Sequence, residues 1–334
     1  MPDREYIQRL ADEQFSGELR EAFLGAIEGI SDEVKLSEIE ARIRRGDVEG
    51  AIAAAGVTAA AFEGVRYAIR RSVAAGGRET VKQVALGINY EPGNERAERR
   101  TDQIHTELIR EVTEETRDAI RDEVRAGIER GENPRETARR IRGTWDRQAG
   151  KFRGGTIGLT RHQAEVVRRA RDELASGDPE QMRKYLGRKL RDRRHDRSVI
   201  KAIREARGLS KEQIDRMEAS YRRRWTQHRA ETIGRDQSLE ALTQGQEEAV
   251  DQAIDSGTVS EDLVVKEWVV TRDGREREAH AAIPGMNQGG VPKDEMFDTP
   301  YGPLRRPRDR SSPGSVPENT IQCRCSMTYR IRRR

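Results

Sequence analysis

The spacing of apolar residues predicts helices along most of the first 260 positions. Between Thr101 and Gly131 an apolar residue recurs at multiples of four, at Ile104, Leu108, Val112, Ile120, Val124 and Ile128. This period places the residues on one stripe of a long amphipathic helix, which Gly131 is placed to end. Start signals for further helices follow at Asn133-Pro134, at the capping box Thr160 to Gln163 and at Ser210 to Gln213. The last of these predicts one or two long helices reaching about Ala249.

The pattern changes on either side of this helical region. Upstream, 36–54 and 58–74 have the pattern of a helical pair that breaks near Gly56. Downstream of Gly257, β-branched residues surround Trp268, and most of the prolines fall between Pro284 and Pro317. The final segment, 321–331, alternates apolar and polar residues with the period of a strand. We expect this strand to pair with the one around Trp268.

These shifts predict a mainly α protein with an elongated helical body and a small α+β C-terminal domain. We place an N-terminal helical module at 1–93, a long-helix body at 94–256 and the C-terminal domain at 257–334. Aromatic residues make up only 4% of the chain, which argues against the core of a β-sandwich or barrel. No run approaches the roughly 18 consecutive apolar residues that span a bilayer, so we expect no membrane role.

The net charge of +4 conceals an uneven distribution. Residues 183–235 contain 18 Lys/Arg and 7 Asp/Glu, a net +11, whereas 236–265 contain 8 acids and no bases, a net −8. A basic block of this density favours contact with a polyanion, although a solvated helix face has the same composition. The candidate phosphate contacts are Arg188, Lys189, Arg191, Arg193, Arg194 and Arg197. No aromatic residues are interleaved with them, so base stacking is not indicated there.

The two cysteines, Cys323 and Cys325, are too few for a disulfide framework, and Met1 to Leu10 lacks the apolar region of a secretory signal. We therefore expect synthesis in a reducing cytosol. On one strand face the two thiols could hold a soft cation, with His280 as the natural third ligand. A fourth ligand would be Asp273, Asp298 or water. The alternative is that both cysteines are small core residues and that no cofactor is bound.

Acid, base and imidazole groups also occur together between Thr271 and His280, so catalysis must be considered. The chain lacks a nucleophile elbow, an HExxH motif and a phosphate-cradling glycine loop. We expect no enzymatic activity.

The order of residues in the C-terminal part resembles the Mu F-like, or phage head morphogenesis, minor head proteins. The similarity lies in Lys266-x-Trp268, Thr271-Arg272-Asp273, Arg275-x-Arg277-x-x-His280, Phe297-x-Thr299-Pro300 and Ile321-Gln322-Cys323-Arg324-Cys325. The helix around 229–246 and the helices from Thr101 onward are also similar to the family. Gln322 stands where asparagine is expected, and the loop 305–317 is longer and more basic than usual.

The resemblance implies a structural component of the virion of a tailed phage or prophage, located inside the capsid near the portal and in the host cytoplasm during assembly. Its implied partners are the portal protein, the major capsid or scaffold proteins and, nonspecifically, the phage genomic DNA, with a role in head assembly and in DNA packaging or delivery. The motif residues Trp268, Asp273, Arg277, His280, Cys323, Arg324 and Cys325 would then have structural roles. The alternative is a nonspecific DNA-binding protein that is carried with the genome.

Overall fold

The computed structural model describes residues 3–272 and 274–332, and most of them are helical. The α-helices are α1 (Tyr6–Leu10), α2 (Ser16–Glu33), α3 (Leu36–Arg44), α4 (Val48–Ala54), α5 (Glu63–Val84), α6 (Glu95–Glu129), α7 (Pro134–Arg142), α8 (Arg161–Ala175), α9 (Pro179–Leu186), α10 (Asp196–Arg204), α11 (Lys211–Asp255), α12 (Glu278–Met286) and α13 (Pro317–Thr320). The strands are β1 (Thr144–Asp146), β2 (Lys151–Arg153), β3 (Val264–Val269), β4 (Val291–Pro292) and β5 (Ser326–Ile331). The prediction of a mainly α protein with a small α+β C-terminal part is confirmed.

Local start signals place several helices where the sequence predicts them. The Asn133 side chain accepts a hydrogen bond from the amide of Arg135 at the start of α7. Thr160 and Gln163 form a reciprocal capping box at the start of α8. Each cap satisfies an amide that the first turn leaves without a partner. The long helix after Ser210 is a single helix, α11, of 45 residues.

Two compact units account for the tertiary packing. Unit 1 consists of residues 1–22, 65–106 and 231–334, and unit 2 consists of 23–64 and 107–230. Helices α2, α5, α6 and α11 contribute residues to both units. These units do not coincide with the segments 1–93, 94–256 and 257–334 expected from composition, because the beginning of the chain packs with its end in unit 1.

Unit 1 contains a three-stranded antiparallel sheet in the order β4, β3, β5. The predicted pairing is confirmed, with Trp268 opposite Met327 in the register of β3 and β5. The N-terminal segment covers this sheet: the Gln246 amide donates to the carbonyl oxygen of Met327 over 2.9 Å and also to the hydroxyl of Tyr6. Both groups are buried, so satisfying them removes a desolvation cost that would otherwise oppose this packing.

Two glycines let α5 and α11 approach each other closely in unit 1. A Cβ on Gly245 would lie 1.9 Å from the carbonyl oxygen of Val73, and a Cβ on Gly76 would lie 2.1 Å from that of Leu242. Real Cβ atoms cannot come so near to backbone atoms. Glycine is therefore required at this crossing for steric reasons, although it lowers helix propensity.

The core of unit 2 combines an apolar cluster with buried ion pairs. Tyr185 and Tyr221 lie in the apolar cluster with ring centroids 6.3 Å apart. Beside it, Glu123 accepts a hydrogen bond from Arg140 over 2.6 Å and lies 3.4 Å from a guanidinium nitrogen of Arg222. Coulomb attraction to these guanidinium groups keeps the pKa of Glu123 below its usual value although burial alone would raise it. The carboxylate therefore stays ionised inside the unit.

The final strand is shorter than the alternation predicts. It begins at Ser326, whereas the pattern starts at Ile321, which is 54% exposed. Gln322 has a left-handed backbone with φ of 52°, which breaks an extended segment. The two cysteines lie in the irregular segment between Ile321 and β5.

One segment qualifies by length and composition as a candidate membrane span. It was not expected from the sequence, because its apolar residues are not consecutive. It lies within 48–84 and includes an 18-residue window of mean hydropathy 1.3. Helix α4 ends in this segment, Gly56 adopts a left-handed φ of 66°, and a 3₁₀ turn at Ala59–Phe62 precedes α5. The segment is therefore divided among α4, a 3₁₀ turn and α5, whereas a bilayer favours an uninterrupted helix.

Candidate metal centre

His280, Cys323 and Cys325 meet in the core of unit 1, as their predicted ligand roles require. The Nδ1 atom of His280 lies 3.5 Å from the Sγ atom of Cys323 and 3.6 Å from that of Cys325. All three ligand atoms lie within 4.8 Å of one another, and all three residues are buried. A cluster of one histidine and two cysteines is thus present between α12 and the segment before β5.

The two thiols share a hydrogen bond that shifts their pKa values in opposite directions. The hydrogen bond from Cys325, with a further contribution from His280, lowers the pKa of Cys323 well below its usual value against the effect of burial. The same hydrogen bond and burial raise the pKa of Cys325. Cys323 therefore loses its proton before Cys325 does. A thiolate is the form that binds metals.

Aromatic residues form one wall of the cluster. The ring of Trp268 contacts His280 edge to face, with centroids 6.2 Å apart, and contacts Phe297 in the same way at 5.3 Å. Trp268 comes from β3, His280 from α12 and Phe297 from the loop after β4. Trp268 therefore packs against the imidazole ring, and Phe297, from another part of the chain, packs against Trp268.

Arginines hold the segment that carries the cysteines. Arg277, at the start of α12, donates to the carbonyl oxygens of Glu318 over 2.8 Å and of Ile321 over 2.5 Å. Arg308 is buried and donates to the carbonyl oxygens of both Cys323, over 3.3 Å, and Cys325. Side chains therefore replace the strand partners that this irregular segment lacks.

Arg308 has a structural role that its sequence context does not reveal. It lies in the proline-rich loop, has a left-handed φ of 66° and resembles many other arginines of this chain in its local sequence. No local signal distinguishes it. Its role depends on the loop returning to the cysteine segment.

The other predicted motif residues have different outcomes. The carbonyl oxygen of Arg324 accepts a hydrogen bond from the hydroxyl of Thr271 over 2.8 Å. Asp273 lies outside the described residues. Asp298 is exposed, and its backbone is bonded to Asn287, so it is not part of the cluster.

A polar cavity of about 310 Å³ adjoins the cluster. Its walls include His280, Cys323, Cys325 and the four arginines Arg235, Arg275, Arg277 and Arg324. The three potential ligands are therefore reachable from this cavity, although each is almost fully covered.

Half of the residues in the predicted nucleic-acid cluster of unit 2 form ion pairs within the protein. Three of its six members have acidic partners: Arg188 pairs with Glu173 and Arg194 with Asp192, and Arg191 pairs with Asp196. The other three, Lys189, Arg193 and Arg197, are exposed. The charge that this cluster offers to a polyanion is therefore smaller than the residue count indicates.

No family model, curated protein or solved structure matches this chain. The similarity to the phage head morphogenesis proteins therefore stays a prediction, and it rests on the residues quoted above.

Proposed function

We propose that this chain is a structural minor head protein of a tailed phage or prophage that acts in head assembly near the portal. The observation that supports it is the convergence of the residues behind the resemblance. Trp268, His280, Phe297, Cys323 and Cys325 are spread over almost sixty positions, yet they share one core cluster. The residues behind the resemblance therefore occupy one site in the fold and are not scattered over its surface.

In this proposal the motif residues build a domain and catalyse nothing. The aromatic residues supply the apolar contacts, while Arg277 and Arg308 tie the cysteine segment to its neighbours. The domain would present its surface to the portal protein and to major capsid or scaffold proteins. The chain would act in the host cytoplasm during assembly and remain in the capsid interior near the portal.

The proposal includes a structural Zn²⁺ bound by His280, Cys323 and Cys325. A tetrahedral zinc ion with bonds of about 2.3 Å to sulfur and 2.0 Å to nitrogen holds these atoms about 3.5 Å apart. The separations of 3.5 and 3.6 Å between Nδ1 and the two Sγ atoms match this value. The ion would join α12 to the segment before β5, and the cavity leaves room for water as a fourth ligand.

Metal analysis of the purified full chain tests the zinc assignment. We expect close to one zinc per chain, lost in Cys323→Ser and in Cys325→Ser, with a fall in the unfolding temperature of unit 1. His105→Gln is the control, because it changes a buried histidine on α6 that is not part of the cluster. Metal-free protein that gains no thermal stability on addition of zinc would contradict the assignment. The thiols would then be hydrogen-bonded core residues.

Co-purification with a portal protein from the same genome tests the head-assembly role. We expect a complex that survives nuclease treatment and high salt, because protein contacts would hold it. An association that disappears with nuclease would instead support the alternative, a nonspecific DNA-binding protein that travels with the genome. The exposed cations Lys189, Arg193 and Arg197 are the observation that favours this alternative.

Repeating the experiment with Cys323→Ser connects the two tests. Loss of the complex together with the zinc would place the partner contact on the C-terminal part. Retention of the complex would assign the contact to another part of the chain.

A further inference from the structure

The β1–β2 hairpin of unit 2 carries two adjacent aromatic rings, of which Trp145 is exposed and Phe152 is partly buried. Trp145 and Phe152 lie opposite each other in its antiparallel register and therefore share one face. Their ring centroids are 5.1 Å apart with an angle of 67° between the planes. Trp145 is 53% exposed. Tryptophan at a surface is typical of binding sites, because burying its large ring in a complex is strongly favourable.

The hairpin is held in a defined conformation. The carboxylate of Asp146 accepts hydrogen bonds from the amides of Gln148 and Ala149 over 3.0 and 3.3 Å, which closes the turn. The same carboxylate pairs with Arg223 of α11 at 3.0 Å. At the base, a Cβ on Gly143 would lie 2.5 Å from the carbonyl oxygen of Arg153, so glycine is needed there. A partner would therefore meet rings that are already positioned, and little conformational entropy would be lost on binding.

One cation, Arg142, lies against the aromatic pair, and further cations occur on the hairpin turn and on the last turn of α7. The guanidinium carbon of Arg142 lies 3.8 Å from the centre of the Phe152 ring. Arg147, in the turn, and Arg139, at the end of α7, are exposed. The nearby carboxylate of Glu28 is already paired with Lys151 and Arg153, at 2.9 and 2.6 Å.

The charged residues on the hairpin, on the last turn of α7 and in ion pairs or hydrogen bonds with the hairpin include more cations than acids. The cations are Arg139, Arg142, Arg147, Lys151, Arg153 and Arg223, and the acids are Glu28, Asp32 and Asp146. A surface that combines the exposed ring of Trp145 with an excess of cations fits a partner with both flat apolar groups and negative charge.

We propose that this hairpin binds single-stranded nucleic acid, with a base stacked on Trp145 and the backbone phosphates held by Arg147 and Arg139. Single strands offer unpaired base faces beside phosphates, whereas a duplex buries those faces in its own stack. Binding of this kind tolerates any sequence, because every base has an aromatic face. The inference is independent of the head-assembly role, since it rests on unit 2 alone.

The test is binding of the full chain to a fluorescently labelled single-stranded oligonucleotide, followed by anisotropy. Base stacking on an aromatic residue corresponds to a loss of about 5- to 140-fold in affinity when the ring is removed. We expect a loss in this range for Trp145→Ala and a much smaller one for Trp145→Phe. Ile128→Ala is the control, because it removes another exposed apolar side chain of unit 2 outside the hairpin. Equal affinity of Trp145→Ala and the unchanged protein would overturn the proposal.

Salt dependence separates the stacking interaction from the phosphate interactions. Arg147→Glu is expected to reduce the slope of log affinity against log salt by about 0.7 for each phosphate that the protein no longer neutralises. Trp145→Ala is expected to leave that slope unchanged. The proposal would also fail if the chain bound duplex as tightly as single strand, or if it bound anionic lipid vesicles through Trp145 and no oligonucleotide.

Discussion

The buried lysine of β3 leads to a prediction whose magnitude follows from its surroundings. Lys266 is 1% exposed, and its ammonium group donates to the carbonyl oxygen of Arg305 over 2.8 Å and lies 5.2 Å from the centre of the Phe297 ring. Burial lowers its pKa from 10.5 to about 8. Glu247 on α11 and Asp294 oppose this shift, whereas Arg305 and Arg306 add to it.

The effect on stability has a definite sign. Between pH 8 and about 10.5 the unfolded chain holds a proton on Lys266 that the folded chain has released, so the free energy of unfolding rises with pH. A difference of about 2.5 pKa units corresponds to about 3 kcal/mol across this window. Lys266→Met removes this titration. At neutral pH its net effect is small, because relief of the buried charge is opposed by the unpaired carbonyl group of Arg305.

Urea unfolding at several pH values measures this difference. Changing Trp145 and Trp225 to Phe in both proteins leaves Trp268, which contacts Phe297, as the fluorescent reporter of unit 1. We expect the protein with Lys266 to gain about 3 kcal/mol relative to Lys266→Met between pH 7 and 10.5. The comparison cancels the tyrosine titrations that both proteins share. Parallel pH profiles for the two proteins would refute the reasoning.

Three further experiments test the packing and the surface charge. Gly245→Ala is expected to cost about 1–3 kcal/mol or more in urea unfolding, because its Cβ would overlap α5, whereas Gly64→Ala, which has open space, is expected to stabilise α5 by about 0.5–1 kcal/mol. Glu123→Gln is expected to cost about 3 kcal/mol, since it removes the buried carboxylate that Arg140 and Arg222 share and leaves each guanidinium with its other partner, Glu132 or Glu218; a cost below about 1 kcal/mol would contradict it. The third experiment changes the exposed cations of the basic cluster to Glu, at Lys189, Arg193 and Arg197. If this cluster contacts phosphates, the change is expected to weaken DNA binding and to reduce the dependence of the affinity on salt, both measured by anisotropy.

Some parts of the candidate metal centre could be predicted from the sequence and others could not. The pair Cys323 and Cys325 is two residues apart, and His280 is the nearest histidine in the sequence, so the ligand set follows from composition and proximity. Their conformation does not, because the left-handed Gln322 and the buried Arg308 replace the regular strand that the alternation predicts. Arg308 reaches the cysteines only because the proline-rich loop folds back on them.

The charge of the basic cluster also could not be predicted from the sequence alone. A count over 183–235 records the excess of arginines, but it does not show that Arg188, Arg191 and Arg194 each have an acidic partner nearby in space. The aromatic residues missing from that cluster occur on the β1–β2 hairpin, where Trp145 and Phe152 are seven positions apart and meet only by strand pairing. Strand pairing, and not the local sequence, therefore brings these two rings together.

The sequence by itself determined the local elements: the helical class, the caps of α7 and α8, and the pairing of the strand around Trp268 with the last strand. These features depend on periodicity and on side-chain bonds that span a few residues. The tertiary structure decided the grouping of the chain into two units, the glycine crossing of α5 and α11, and the meeting of His280 with the two cysteines. Those contacts join residues tens to hundreds of positions apart, and they form because burying apolar surface and satisfying buried polar groups favours one packing over the others.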